Sequence, residues 1–106
     1  MTAESGSAPR PHKLPPSEIE AFLTESPTWT HGGAALRTTI AFAAYLDGAA
    51  FVQQVALLAE EANHHPDLVL RWGAVDVILT SHDAGGVTAR DINMARKIAE
   101  LAGRLS

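Results

Sequence analysis

Hydrophobic residues along the chain follow two spacings, one typical of helices and one typical of strands. Apolar residues recur every three or four positions at about 17–25, 45–63 and 88–105, and polar residues fill the positions between them. Apolar and polar residues alternate instead within 26–42 and 67–82, and glycines divide each of these stretches into two. The order helix, hairpin, helix, hairpin, helix predicts an α+β domain. In it, helices cover one face of a four-stranded antiparallel sheet, in the order α-β-β-α-β-β-α.

Residues that suit helix ends support these boundaries. Ser17 is placed to cap the first helix, with Glu20 returning a bond to the amide of the cap, and Thr88 and Asp91 repeat this pattern at the last helix. The central helix is expected to stop before Pro66, because proline disfavours a helical conformation in the residue that precedes it. The last helix is predicted to bury one apolar stripe, formed by Ile92, Ala95, Ile98, Ala102 and Leu105.

The central helix carries more apolar surface than one buried face requires. Its first apolar stripe is formed by Phe51, Val55, Leu58 and Ala62. A second apolar stripe lies beside the first and is formed by Val52, Ala56 and Ala59. The second stripe suits contact with another subunit, although packing within the domain core is the simpler interpretation. Because a small domain gains from burying further surface, a homodimer or homotetramer is expected.

Length and composition fit one small domain. The chain has 106 residues, 46% of them hydrophobic, and no cysteine, so disulfides and thiolate chemistry are excluded. Residues 1–13 lack apolar periodicity and are interpreted as a disordered tail, which leaves 14–106 as the domain. No apolar run approaches the roughly 20 residues of a membrane helix and no signal peptide is recognisable, so a cytoplasmic protein is expected. The net charge of −4, with eight scattered Lys and Arg residues, argues against direct binding to nucleic acid.

Three of the five histidines lie where predicted elements end, and functional groups often collect at such places. His64 and His65 follow the central helix with side chains that point in different directions, and His82 is expected at the end of the last strand. Imidazole suits proton transfer near neutral pH, so two imidazoles on opposite sides of a pocket could supply an acid and a base. An interaction with the helix dipole explains His64 and His65 without any function, and capping does the same for Asp91.

A metal site is the weakest interpretation of these histidines. The chain has no His-Glu-x-x-His pair, no His-x-His pair on a strand and no cysteine. No two ligands are therefore fixed on one face at a ligand spacing, and no metal is expected. Gly85-Gly86 lacks the longer glycine pattern and the lysine of a phosphate-binding loop.

The segment from residue 60 to residue 91 resembles the signature of the pterin-4a-carbinolamine dehydratases. The signature residues, at the family's spacing, are Glu60, His64, His65, Pro66, Trp72, His82 and Asp91. The resemblance extends to Trp29, to Phe42 and to the sequence around Phe51, and it covers roughly 14–105. Two positions depart from the family pattern. Ala44 stands where relatives often carry an acidic helix cap, and Trp72 stands where many have tyrosine.

The resemblance implies a fold, a reaction and roles for the matching residues. The family fold is a four-stranded antiparallel sheet with three helices on one side. Its members are hydro-lyases that convert 4a-hydroxytetrahydropterin to quinonoid dihydropterin and water in tetrahydrobiopterin recycling, without a metal or organic cofactor. By this resemblance His64 and His82 form the proton-transfer pair and His65 orients the substrate. The remaining matched residues, expected to orient the histidines or bind the pterin, are Glu60, Asp91, Trp29 and Pro66.

Two other functions remain open on the same fold. Some relatives act as a dimerisation cofactor or as an assembly chaperone, and they use protein surfaces rather than the pocket. The retained histidines favour the enzyme over this protein-binding alternative. A metal-dependent hydrolase is the third alternative, and elemental analysis of the purified protein would test it.

Overall fold

Helices and strands follow the predicted order. The computed structural model describes residues 12–105, so most of the predicted tail, residues 1–11, lies outside the described residues. The elements are α1 (Pro16–Glu25), β1 (Thr30–Gly32), β2 (Ala35–Ala41), α2 (Tyr45–Ala62), β3 (Asp67–Arg71), β4 (Ala74–Leu79), a short 3₁₀ helix (His82–Ala84) and α3 (Ala89–Leu105).

The four strands form one antiparallel sheet in the order β1-β2-β4-β3. The central pair, β2 and β4, is in register with Leu36 opposite Leu79 and Thr38 opposite Val77. Leu36, Val77 and Leu79 are fully buried, whereas Arg37 on the other face of β2 is exposed. One face of the sheet is therefore covered by the helices, and the predicted α+β architecture is confirmed.

The central helix ends by a different device from the predicted one. Asn63 adopts the left-handed conformation, with φ of 51°, and its amide donates to the carbonyl oxygen of Glu60. The amide of His64 donates to the carbonyl oxygen of Ala59 at 3.1 Å, which closes the last turn. Asparagine tolerates this conformation better than most residues, so a left-handed C-cap ends α2 three residues before Pro66.

Four details of the predicted helix ends and faces are wrong. Ser17 does not cap α1, because the N-cap is Pro15 and no side-chain bond is made there. Ala59, predicted in the second stripe of α2, is 2% exposed and belongs to the core face. Ala62, predicted in the first stripe, is exposed. Leu105 is 43% exposed in the last turn of α3, since the buried face of that helix ends one turn earlier. Within residues 12–105, no helix is both long and apolar enough to cross a bilayer.

Candidate active site

A buried side-chain hydrogen bond joins the end of α2 to the start of α3. Nε2 of His64 lies 2.6 Å from Oδ1 of Asp91. Asp91 is 0% exposed and His64 is 9% exposed, so solvent weakens this contact little. The two residues come from the C-cap region of α2 and the first turn of α3.

The start of α3 explains why Asp91 is held in this position. The backbone amide of Thr88 donates to Oδ2 of Asp91 at 2.9 Å, and the amide of Arg90 donates to Oγ1 of Thr88 at 3.2 Å. These two bonds form the predicted capping box, which is confirmed. The hydroxyl of Ser81 also donates to Oδ2 of Asp91, at 2.8 Å. One carboxylate thus caps the helix through Oδ2 and holds His64 through Oδ1.

The contacts of Asp91 determine which ring nitrogen of His64 carries the proton that is donated to the carboxylate. A buried carboxylate that already accepts bonds from Ser81 and Thr88 has acceptor oxygens only, so Nε2 of His64 is the donor in the remaining bond. Nδ1 of His64 makes no hydrogen bond with the residues that the structure describes. In the neutral ring Nδ1 is the acceptor nitrogen, so His64 can exchange a proton there while Asp91 fixes its orientation.

The neighbouring histidine faces away from this pair. Nε2 of His65 lies 2.6 Å from Oε2 of Glu60 in the last turn of α2, and their side chains are 54% and 78% exposed. Pro66 follows and is partly buried. The prediction that consecutive imidazoles point in different directions is confirmed, with one bound in the interior and the other at the surface.

His82 lies in the loop between β4 and α3. The strand ends at Leu79, so His82 begins the 3₁₀ helix rather than ending the strand as predicted. Its neighbour Ser81 pairs with Gly86 across the loop through two backbone bonds, of 3.1 and 3.3 Å, and also binds Asp91. His82 itself is exposed, one residue from a side chain that contacts the carboxylate holding His64.

An ion pair anchors the loop of His82 to α3. Nη2 of Arg90 donates to Oδ1 of Asp83 at 2.6 Å. The hydrogen bond from Arg90 is the main reason that the pKa of Asp83 is lowered, and the charges of Arg90 and His64 act in the same direction. Asp83 follows His82 directly, so this contact restrains the loop that carries His82.

Two aromatic residues of the resemblance lie away from these contacts. Trp29 is 3% exposed and belongs to the core, with its ring centroid 6.3 Å from that of Phe22. Trp72 is 81% exposed at the turn between β3 and β4. The structure therefore brings His64 and Asp91 together and places Glu60 with His65. His82 makes no side-chain hydrogen bond with them among the described residues and is related to Asp91 only as the chain neighbour of Ser81. Ser81 had no signal of its own in the sequence beyond its position next to His82.

A pocket of 160 Å³ opens beside His64. We call it the His64 pocket, and its lining residues are Ala62, His64, Arg90, Asn93, Met94 and Lys97. A wider depression of 650 Å³ lies on the sheet and includes Arg37, Arg71 and Asp76, but none of the histidines lines it. We place the candidate site at the smaller pocket, because the buried histidine lines it. No group of three metal-ligating side chains occurs within the part of the chain that the structure describes.

Comparison with known proteins identifies the family of this chain. Residues 12–101 match the family described as pterin 4 alpha carbinolamine dehydratase. A protein from Thermomicrobium roseum, named provisionally as such a dehydratase, is 49% identical over 90 residues, which are 85% of this chain and 97% of that protein. A protein of the same provisional name from Thermosynechococcus vestitus is 44% identical, over 85% of this chain and 95% of its own length.

Solved structures resemble the fold as well. A transcriptional coactivator/pterin dehydratase from Brucella melitensis superposes with a TM-score of 0.82 at 34% identity, covering 87% of this chain and 100% of that one. A pterin dehydratase-like protein identified as a RuBisCO assembly factor in the alpha-carboxysome gives a TM-score of 0.61 at 26% identity, covering 72% and 90% of the two chains.

Proposed function

Because this chain belongs to the pterin 4 alpha carbinolamine dehydratase family, we propose that it dehydrates a 4a-hydroxytetrahydropterin to quinonoid dihydropterin and water. The observation that carries the proposal is the contact of 2.6 Å between His64 and the buried Asp91. It gives one imidazole a fixed orientation and leaves its Nδ1 free to exchange a proton.

The reaction requires two proton transfers. The bond between C4a and its hydroxyl oxygen breaks as that oxygen takes a proton and leaves as water, while a ring N–H gives up a proton. A protonated imidazole supplies the first proton and a neutral imidazole accepts the second. We assign these roles to His64 and His82, which lie on two segments that meet at Asp91. The proton count balances, and exchange with water restores both histidines.

The remaining family residues have supporting roles in this proposal. Glu60 holds His65 at the surface, where His65 orients the edge of the pterin, and Pro66 stiffens the segment that follows. Asp91 polarises His64 rather than touching the substrate, because it is fully buried. Trp29 is 3% exposed, which favours a packing role and leaves little of its ring available for contact with the pterin.

We further propose that the protein acts in the cytoplasm, recycles a reduced pterin cofactor that shares the ring system of tetrahydrobiopterin, and needs no metal or organic cofactor for the reaction. A homodimer or homotetramer fits the exposed apolar residues of α2, where Leu46 is 76% and Leu57 is 58% exposed. Burying these side chains against a second copy would remove them from water.

The test generates the 4a-hydroxytetrahydropterin chemically and follows its decay by stopped-flow absorbance. Wild-type protein should accelerate the decay, and His64→Ala and His82→Ala should each lower turnover about 10²–10⁴-fold, the usual contribution of a positioned acid or base. His31→Ala, which alters an exposed histidine of β1, is the matched control and should retain turnover. Far-ultraviolet circular dichroism identifies any variant that fails to fold.

A protein-binding role is the second candidate. It is supported by the exposed leucines of α2 and by the similarity to an assembly factor and to a coactivator/dehydratase. In this case the partner would bind the helix surface, and binding would survive His64→Ala but not Leu57→Asp. Absence of turnover in the wild type, together with such a partner, would favour this candidate over the enzyme.

A further inference from the structure

Hydrogen-bond donors follow one another along the side of α3 that borders His64. Arg90, Asn93 and Lys97 are three and then four residues apart, so they lie on one side of the helix. All three line the His64 pocket, and no acidic side chain lines it. The lining itself therefore carries two cationic side chains and no carboxylate, while Asp83 and Asp91 contact Arg90 and His64 from outside the lining.

The two cations of the pocket are incompletely paired. Nη2 of Arg90 binds Asp83, but Nε of Arg90 is buried without a hydrogen-bond partner among residues 12–105. Lys97 is exposed and forms no ion pair or hydrogen bond with the described part of the chain. A buried donor without a partner is costly, so a ligand that accepts hydrogen bonds would be favoured near Arg90.

The dimensions of the pocket limit what can bind there. Lys97 lies seven positions after Arg90 in the helix, which corresponds to about 10 Å along the axis. The volume of 160 Å³ equals that of about five water molecules. A group bound at His64 could thus extend a short substituent along α3 toward the ammonium of Lys97.

We propose that the side of the His64 pocket formed by Arg90, Asn93 and Lys97 is a subsite for an anionic group, a phosphate or a carboxylate, carried on the substituent of the pterin substrate. This inference rests on the proposed function, because it places the reacting ring beside His64. Arg90 and Asn93 donate hydrogen bonds to the anion, and Lys97 supplies a second positive charge at the open end. No bond of the substituent is made or broken there.

The test compares 4a-hydroxytetrahydropterins that share the ring and differ only in the substituent: neutral, phosphate-bearing or carboxylate-bearing. Wild-type protein should show a lower KM for at least one anionic substrate than for the neutral one, and the two anionic substrates separate phosphate from carboxylate recognition. In Lys97→Gln the ratio of the anionic to the neutral KM should rise about two- to fivefold, the range of a single exposed charge pair. In Lys97→Glu it should rise about tenfold.

Arg104→Gln is the matched control, since it removes a positive charge from the last turn of α3 outside the His64 pocket. It should leave the KM ratio unchanged. Added salt should reduce the preference for the anionic substrate, because Lys97 is exposed and its charge is screened.

A binding titration separates this inference from the proposed function. Stable dihydropterins, with and without a phosphate ester, are titrated by calorimetry into the wild type and Lys97→Gln. If dehydration occurs but the KM ratio does not respond to Lys97, the subsite is wrong and the dehydratase stands. If no substrate is dehydrated, the dehydratase is wrong. Equal affinity for the neutral pterin and for both its phosphate-bearing and carboxylate-bearing counterparts, titrated in the same way, would then overturn the subsite as well.

Discussion

His64 and Asp91 lie 27 residues apart in the chain and 2.6 Å apart at Nε2 and Oδ1. The carboxylate that accepts the hydrogen bond from the imidazole also accepts one from the backbone amide of Thr88, three residues earlier, in the capping box of α3. The side chain that starts the helix therefore also orients the proposed proton-transfer residue. Correct formation of the first turn of α3 is a condition for the site.

Replacing Asp91 with asparagine should separate shape from charge. The side-chain amide of asparagine has only one oxygen. Either His64, or the Ser81 hydroxyl and the Thr88 amide that donate to Oδ2, would therefore face an N–H group instead of an acceptor. Asp91→Asn should lower kcat by at least about 10²-fold and the free energy of unfolding by about 1–3 kcal/mol. Steady-state kinetics and urea unfolding measure the two effects, and ¹⁵N NMR of the imidazole reports its tautomer.

Asp67→Asn, at an exposed position of β3, is the control for the Asp91→Asn variant. Wild-type kcat in Asp91→Asn would show that His64 does not need this carboxylate.

Thr88 should affect stability more than turnover. Its hydroxyl accepts the amide of Arg90, but its own backbone amide holds Asp91 and remains in any side-chain variant. Thr88→Val should therefore lower the free energy of unfolding by about 1 kcal/mol, the usual cost of losing a cap, whereas Thr88→Ser should retain most of it. Equal unfolding midpoints in urea for the valine and serine variants would contradict a capping role for the hydroxyl.

A cross-strand carboxylate on the open face of the sheet should make stability depend on acid pH. Asp76 accepts bonds of 2.7 Å from Thr39 on β2 and from Arg71 on β3, and these hydrogen bonds lower the pKa of Asp76 below its ordinary value. A lowered folded-state pKa adds stability that is present above the unfolded-state value of about 3.9 and is lost as pH falls through the folded-state value. Wild type should exceed Asp76→Asn in stability at pH 6 by up to about 1 kcal/mol.

Urea unfolding of both proteins between pH 6 and pH 2 measures this difference. The gap between wild type and Asp76→Asn should shrink below pH 4 and approach zero near pH 2. A gap that stays constant across this range would mean that ionisation of Asp76 contributes nothing to stability. Because Asp76 does not line the His64 pocket, this result leaves the account of the site unaffected.

Local patterns predicted the elements, and contacts between distant segments decided the details. The periods of apolar residues determine the order of helices and strands, and the spacing of Thr88 and Asp91 predicts the cap, because both depend on neighbours in the chain. The contact of Asp91 with His64 could not be derived in this way, since it depends on how α2 and α3 pack. Asp91 caps α3 through one oxygen and contacts His64 through the other, so its capping role does not exclude the proposed role beside His64.

The wrong predictions have a similar origin. Ser17 fits the pattern of a cap, but Pro15 is the N-cap and the helix begins two residues earlier than a Ser17 cap would place it. The spacing places Ala59 in the second stripe of α2, but alanine fits a buried face and an exposed face equally well. Only the packing of α2 in the folded domain puts Ala59 on the core face. Ser81 carries no motif, and its importance is visible only where the loop between β4 and α3 meets Asp91.

The rate of 4a-hydroxytetrahydropterin decay as a function of protein concentration tests the central claim most directly. The account predicts a rate that rises in proportion to wild-type protein at substrate concentrations below KM, and a slope about 10²–10⁴-fold smaller for folded His64→Ala. A wild-type slope equal to zero, with the decay unchanged from buffer alone, would contradict the proposed dehydratase. An unchanged slope in His64→Ala would contradict the role given to the pair of His64 and Asp91.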